Sequence, residues 1–394
     1  MTERAAERTR TAAITGYGET DVGALPEYGV GELVAWAGFE ALDDANLRGA
    51  DVDGLVVRTP TAGDLGGSTA MAVAETLGAT PIRWATETCV GGASYVQAIA
   101  DADAAIRAGL AETVLVVAAD RLRSKKHREG DEGLLGTSAG PFEEPANTVP
   151  SLYAHVANWH MDTHGTTREQ LAKVSAIASE HASLQRPERA HVNEPNTVAD
   201  VLGSPMIADP LTQYQCSLVS DGGAAFVVTS EANARSTVDR YVTLRGFGAE
   251  HTHDHLSQMA DFGHSGARQA GQRALREAGV THDEIDVIGI YDCFSISVIR
   301  FLEDLGFCEP GAGGALVESG ALELGGAWPM NTHGGALAHA HPGPAGIFHV
   351  TEAVRQLTAT AEATQVEGAT TALVHGNGGV FSTQAVAVLE GNVT

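Results

Sequence analysis

A chain of 394 residues with 43% hydrophobic content can bury a large core, enough for two or three domain-sized units, which argues against disorder. Asp and Glu number 50 against 24 Lys and Arg, a formal net charge of -26 that disfavours nucleic acid or an anionic membrane surface as the main partner. The acidic residues are dispersed, as suits solubility, and lysine occurs only at Lys125, Lys126 and Lys173, so an anionic ligand must be met mainly by Arg and backbone N–H groups.

From the N-terminus, MTERAAERTRTAAITGYG lacks the apolar stretch of a signal peptide, and no later segment supplies the ~20 apolar residues of a membrane span, which predicts a cytoplasmic protein. Strand-length apolar runs then alternate with helical patterns: AAITGYG, DGLVVRT, TVLVVAAD, AAFVVTS, VTLRGFG, DVIGIYD, TALVHGN and QAVAVLE. The alternation predicts an α/β fold with largely buried sheets. After Gly91 the run GASYVQAIADADAAIRAG brings Ala93, Val96, Ile99, Ala100 and Ile106 close to one stripe, a packed helix. Residues 40–57, EALDDANLRGADVDGLVV, resemble residues 273–290, RALREAGVTHDEIDVIGI, which suggests two related α/β halves. Between them, 121–209 mixes charge, Gly and Pro in RSKKHREGDEG, GPFEEPANTVPS and HGTTREQ, the composition of an inserted cap or loop region.

Four cysteines, Cys89, Cys216, Cys293 and Cys308, lie far apart without CxxC spacing, which argues against a zinc site or a disulfide framework. Cys89, in ATETCVGGASYVQ, falls where a loop enters the packed helix. Unpaired N–H groups and the helix dipole at such a place favour thiolate over thiol, although Cys before Gly-Gly equally suits a small packed residue. At 331–357, NTHGGALAHAHPGPAGIFHVTEAVRQL carries His333, His339, His341 and His349 in a Gly-rich turn before a helical pattern. Imidazole beside a thiol can take its proton and return it to a leaving group; hydrogen-bonding scaffold or a metal site stays open for the same residues. YDCFSISVIRFLEDLGF ends a strand at Cys293 before a helix, and VHGNGGVFS sets His375 ahead of a glycine turn whose N–H groups around Asn377 to Gly379 could hold an oxyanion. His251, His253 and His255 in HTHDH would share a face if extended, a geometry open to a metal but equally to solvent-facing rings.

In this order and spacing the segments resemble the thiolase superfamily, and its sterol-carrier-protein-type branch in particular. ETCVGGAS matches the nucleophile motif, GGALAHAHPGPAG the histidine motif, and Tyr291-Asp292-Cys293-Phe294 stands in the place of the HDCF motif. DPLTQYQCSLVSDGGAAFVVTS looks like the segment that closes the first half of that fold. The resemblance implies a five-layered α/β/α/β/α fold: an N-terminal half over 10–120 with 210–232, an inserted region over 121–209, a C-terminal half over 233–394, and a homodimer.

It also implies making or breaking a carbon–carbon bond next to an acyl thioester, by Claisen-type acyl transfer or thiolysis, on coenzyme A or acyl-carrier thioesters, with coenzyme A or acyl-CoA as substrate and no tightly bound cofactor or metal. Cys89 would carry the acyl group and His341 activate it. Cys293 would be the second acid/base, and His375 would stand where the wider family has a C-terminal cysteine. N–H groups at Cys89, Asn377 and Gly378 would hold the acyl oxygen, and His341 would help hold the enolate. Two departures bear on specificity: Tyr291 replaces the histidine of HDCF, and Ala340 replaces the usual glycine before His-Pro, with Gly343-Pro344 following. A phenol at the first place resembles thiolase-like steroid side-chain aldolases, which need no acyl-cysteine, and acyltransferases of secondary metabolism. Several relatives in this branch work with a small separate OB-fold protein; no segment of this sequence looks like that module, so the resemblance implies a small OB-fold partner protein as a possible component of a heteromeric complex. A non-catalytic acyl-CoA-binding scaffold is the remaining rival, and the four ionisable groups Cys89, His341, Cys293 and His375 argue against it.

Overall fold

A computed structural model describes residues 11–58, 60, 69–124, 148–185, 194–343 and 345–393. Lys125, Lys126, most of the two charged stretches that begin the middle region, and Pro344 lie outside the described residues. Nine strands form the main sheet: β1 (Ala12–Glu19), β2 (Gly54–Val57), β3 (Trp84–Glu87), β4 (Thr113–Arg121), β5 (Asp221–Ser230), β6 (Arg240–His251), β7 (Val287–Gly289), β8 (Thr371–Gly378) and β9 (Thr383–Val393). Their order is β3-β2-β4-β5-β1-β6-β9-β8-β7. Each run expected from the sequence falls in a strand. β3 is the exception, because its residues alternate between half-buried and exposed and show no apolar run.

The sheet divides where β1 meets β6 through only Ala13 opposite Thr243 and Ile14 opposite Val242. Outward from that join, β1, β5 and β4 pair antiparallel and β2 adds parallel to β4. On the other side β6, β9 and β8 pair antiparallel and β7 adds parallel to β8. Apart from β3, which pairs parallel to β2 at the edge of the first half, the halves therefore repeat one strand order. The two similar sequences hold equivalent places, each a helix end, a 3₁₀ turn (Gly49–Asp51; His282–Glu284) and the parallel strand β2 or β7.

The layers follow from period-two alternation along the strands. Val56, Val114, Val116 and Phe226 face inward with Val374, Ala387 and Leu389 of the other half, onto helices α3 (Ser94–Arg107) and α8 (Gly346–Leu357). Leu55, Val57, Leu115 and Val227 face outward onto α1 (Val30–Asp44) and α2 (Thr69–Leu77). In the second half Leu373, Val386 and Val388 face α6 (Ala267–Ala278) and α7 (Ser295–Leu305), and this core extends to α4 (Val149–His164) and α5 (Arg168–Leu184) from the middle region. The result is the α/β/α/β/α arrangement. Gly16 and Gly246 do equivalent work in the two halves: a Cβ at either would come within 2.6 Å of Ala41 O on α1 or 2.1 Å of Ala274 O on α6, so each outer helix lies directly on its strand.

α8 is buried along its whole length, yet carries Glu352 and Arg355. It tolerates them because Arg355 spans Glu352 at 2.5 Å and Glu19 of β1 at 2.6 Å, pairing the buried charges. Among the described residues no helix is long and apolar enough to cross a membrane.

Candidate active site

The symmetric placement of α3 and α8 brings the loops before them together. Cys89 follows β3 after Thr88, whose N–H donates to Val57 O at 2.9 Å, and its thiol is exposed. The chain turns through the 3₁₀ residues Gly91–Ala93 into α3, with Val90 N–H held by Ser94 Oγ at 3.0 Å. Gly91 has φ of 61°, and a Cβ there would lie 2.6 Å from Gly378 Cα at the end of β8. A Cβ on Gly92 would fall 2.0 to 2.6 Å from the ring and hydroxyl of Tyr291. The two glycines after Cys89 are thus what lets the second half close against the cysteine loop.

Tyr291 comes from the segment after β7, and its hydroxyl stands 3.0 Å from His341 Nε2. His341 ends the turn that follows the short helix Gly335–Ala338, and its backbone N–H donates to Ser220 Oγ at 2.9 Å. Asp292, fully buried, anchors that turn by accepting Ala336 N–H at 2.7 Å and Leu337 N–H at 3.3 Å. Burial lowers the His341 pKa to about 4, so the imidazole is neutral at pH 7 and able to accept a proton. Burial, followed by the neighbouring Cys293, pushes the Tyr291 phenol well above its usual value, which keeps it a hydrogen-bond donor.

Cys293 is buried, and burial pushes its thiol up to about 12. Its Sγ lies 3.9 Å from Ser297 Oγ, and the Tyr153 phenol on α4 lies within electrostatic reach of it. Tyr153 was not singled out from the sequence, where a tyrosine in a helical run carries no motif. Its hydroxyl donates to Gly379 O at 3.2 Å and accepts from Asn377 Nδ2 at 3.1 Å.

His375 occupies a different kind of place from the one its sequence context suggested. Nε2 meets Gln384 Oε1 at 2.8 Å, and Nδ1 accepts the Tyr291 N–H at 3.4 Å. With both ring nitrogens engaged inside the protein and burial lowering its pKa to about 3, the ring positions Tyr291 and Gln384. Gln384 Nε2 in turn donates to Asn377 Oδ1 at 2.9 Å, so the Asn377 amide is fully committed to protein partners. Gly378 lies against the cysteine loop, since a Cβ there would be 2.0 Å from Val90 O.

His333, His339 and His349 form a buried group behind Tyr291, with ring centroids 5.2 to 5.4 Å apart along the trio and His349 Nε2 3.4 Å from Asp292. His251, His253 and His255 turn to separate partners: Thr383 Oγ1, Val380 O and Ser257 Oγ. Among the described residues no cluster of His, Cys, Asp and Glu is arranged to hold a metal ion. A further cation absent from the sequence reading sits beside the nucleophile loop. Arg58, next in chain after β2, pairs with the fully buried Asp120 at 3.4 Å and lies within electrostatic reach of Cys89.

Comparison with known proteins agrees with this architecture. Residues 10–232 match the family model described as "Thiolase, N-terminal domain", and 248–391 match "Thiolase C-terminal domain-like". An acetyl-CoA acetyltransferase of Methanothermobacter thermautotrophicus is 34% identical over 96% of this chain and 98% of its own length. A 17-hydroxy-3-oxo-4-pregnene-20-carboxyl-CoA lyase of Mycobacterium tuberculosis is 29% identical over 89% of this chain and 92% of its own. A solved structure described as "Ltp2-ChsH2(DUF35) aldolase" superposes with a TM-score of 0.86 at 27% identity, covering 96% of this chain and 97% of that one.

Proposed function

The chain belongs to the thiolase family, and on that premise we propose that it makes or breaks a carbon–carbon bond beside an acyl thioester by carrying the acyl group on Cys89. One observation carries the reading: the exposed Cys89 thiol stands on a loop covered at Gly92 by Tyr291, which is hydrogen-bonded to a neutral His341.

In the cleavage direction the Cys89 S–H proton passes to the Tyr291–His341 pair, and the thiolate attacks the ketone carbon of a 3-ketoacyl thioester. The carbon–carbon bond breaks, its electron pair stays on the departing α-carbon as an enolate, and Cys293 gives up its S–H proton to that carbon. A thiol that burial holds protonated suits this delivery. Coenzyme A then takes the acyl group from Cys89: its thiol proton restores Cys293, its sulfur bonds to the acyl carbon as the Cys89 sulfur leaves, and the proton held by the Tyr291–His341 pair returns to Cys89. Condensation is the same path reversed. The N–H groups of Cys89 and Gly378 serve as oxyanion donors in this reading, supported by the close packing of their loops.

Coenzyme A enters as part of the substrate. The likeness to an aldolase solved with a DUF35 component supports a small partner protein here as well. β3, the edge strand of the sheet among the described residues, offers its outer edge to a second copy in a homodimer.

A second reading is a retro-aldolase acting on a branched or steroid acyl-CoA. The Tyr291–His341 pair favours it, because the pair is complete without Cys89 and could take the proton of a 3-hydroxyl as the bond breaks. The variant Cys89→Ala separates the two. Acyl transfer should fall by roughly 10³-fold or more, whereas retention of most carbon–carbon cleavage activity would overturn acyl transfer in favour of the aldolase.

A further inference from the structure

We propose that Arg58 is a positioning residue for His341: paired with Asp120, its guanidinium is the seat on which the turn after His341 rests. The inference rests on the proton-accepting role assigned to His341 above.

Arg58 follows β2 directly and Asp120 lies near the end of β4, and the two strands are parallel neighbours. Asp120 is fully buried. Its Oδ1 accepts the Arg121 N–H at 2.8 Å, and its Oδ2 accepts from Arg58 Nη1 at 3.4 Å, with 17% of the Arg58 side chain exposed. A carboxylate so deep in the protein requires a cation beside it, and this holds the guanidinium at the strand ends.

The histidine turn crosses that pair between two other supports. First, the His341 N–H donates to Ser220 Oγ at 2.9 Å, and His341 O accepts the Ser220 N–H at 3.4 Å. Two residues on, Gly343 has φ of 98°, and a Cβ there would lie 3.2 Å from Arg58 Nη1 and 3.3 Å from Asp120 Oδ2. At the start of α8, a Cβ on Gly346 would lie 2.0 Å from Gly92 O in the cysteine loop. Ser220, the Arg58–Asp120 pair and Gly92 all belong to the first half, whereas His341 comes from the second. The seat therefore fixes how His341 stands over the cysteine loop, and the bare backbone at Gly343 lets the turn lie flat on the ion pair.

The cation also bears on the proton of His341. The ionisable groups that act on the ring are Tyr291 and Asp292 after β7, His349 on α8, and Arg58. Burial disfavours the imidazolium most; Asp292 favours it, and Arg58 and His349 oppose it. Loss of the seat would let water reach the ring and would remove a cation, and both changes favour protonation.

The test needs no substrate. Arg58→Met with Asp120→Asn replaces both charges together, so no buried charge is left alone. His341 is followed by NMR titration of its ring C–H in histidine-labelled protein, assigned by difference with His341→Asn. Its midpoint should rise from about 4 by about one pH unit or more toward the ordinary 6.5, and kcat should fall roughly 10- to 100-fold with little change in KM. A folded double variant with the wild-type midpoint and kcat would overturn the proposal. Gly343→Ala probes the same seat with the ion pair intact. Its Cβ should lift the turn and raise the His341 midpoint in the same direction, and an unchanged midpoint would overturn the proposal equally. The titration involves no acyl group, so failure of the acyl-transfer reading and failure of this one are separable.

Discussion

The Tyr291 hydroxyl and His341 Nε2 lie 3.0 Å apart, joining the segment after β7 to the turn before α8 directly over the cysteine loop. Because burial lowers the His341 pKa to about 4 and raises that of Tyr291, the pair holds one proton on the phenol and an acceptor on the imidazole across the neutral range.

Tyr291→Phe removes that hydrogen bond and keeps the ring against Gly92. Activity on the thioester substrate should fall roughly 10²-fold or more in kcat with a smaller change in KM. The unpaired His341 nitrogen should cost about 1–3 kcal/mol of stability, read from urea unfolding beside the kinetics. An unchanged kcat would remove Tyr291 from the reaction.

Gly92→Ala places a Cβ 2.0 Å from the Tyr291 ring, on rigid buried neighbours. Overpacking of this kind costs about 1–3 kcal/mol. The ring should be displaced from His341, and activity lost in a protein that still folds. A crystal structure of the variant with Tyr291 unmoved would refute the close approach described here.

Acid should destabilise the protein through His341 and His375, whose folded pKa values lie at about 4 and about 3, below the usual 6.5. Between those values and 6.5 the unfolded chain binds more protons than the folded one, so stability rises with pH. The contribution is complete above pH 6.5 and is lost as pH falls toward 4 and then 3. His375→Gln should flatten the decline in urea stability between pH 6.5 and 4; a slope as steep as wild type would show that His375 titrates normally.

Much of this fold was legible in the sequence because buried strands in α/β sheets are continuous apolar runs, as in TVLVVAAD and AAFVVTS, and because the similarity of 40–57 to 273–290 reflects equivalent places in two halves. β3 escaped because an edge strand with one half-buried face has no such run. At the site, the cysteine loop, Tyr291 and His341 were recognisable as motifs and meet in space. Tyr153 and Arg58 were not, since each acts through long-range contacts, with Asn377 and Asp120 respectively, that leave no local pattern. His375 shows the converse limit. Its motif was visible, but whether a ring nitrogen is free depends on Gln384 and the Tyr291 backbone, which the motif does not contain.

The most direct test of the central claim is intact-protein mass spectrometry after incubation with a panel of short, long and steroid-like acyl-CoA esters, comparing wild type with Cys89→Ala. Covalent acyl transfer predicts a mass gain equal to one acyl group on the wild-type chain, absent from the variant. A folded wild-type protein that gains no acyl group from any ester, or a variant that gains it equally, would contradict an acyl-Cys89 mechanism.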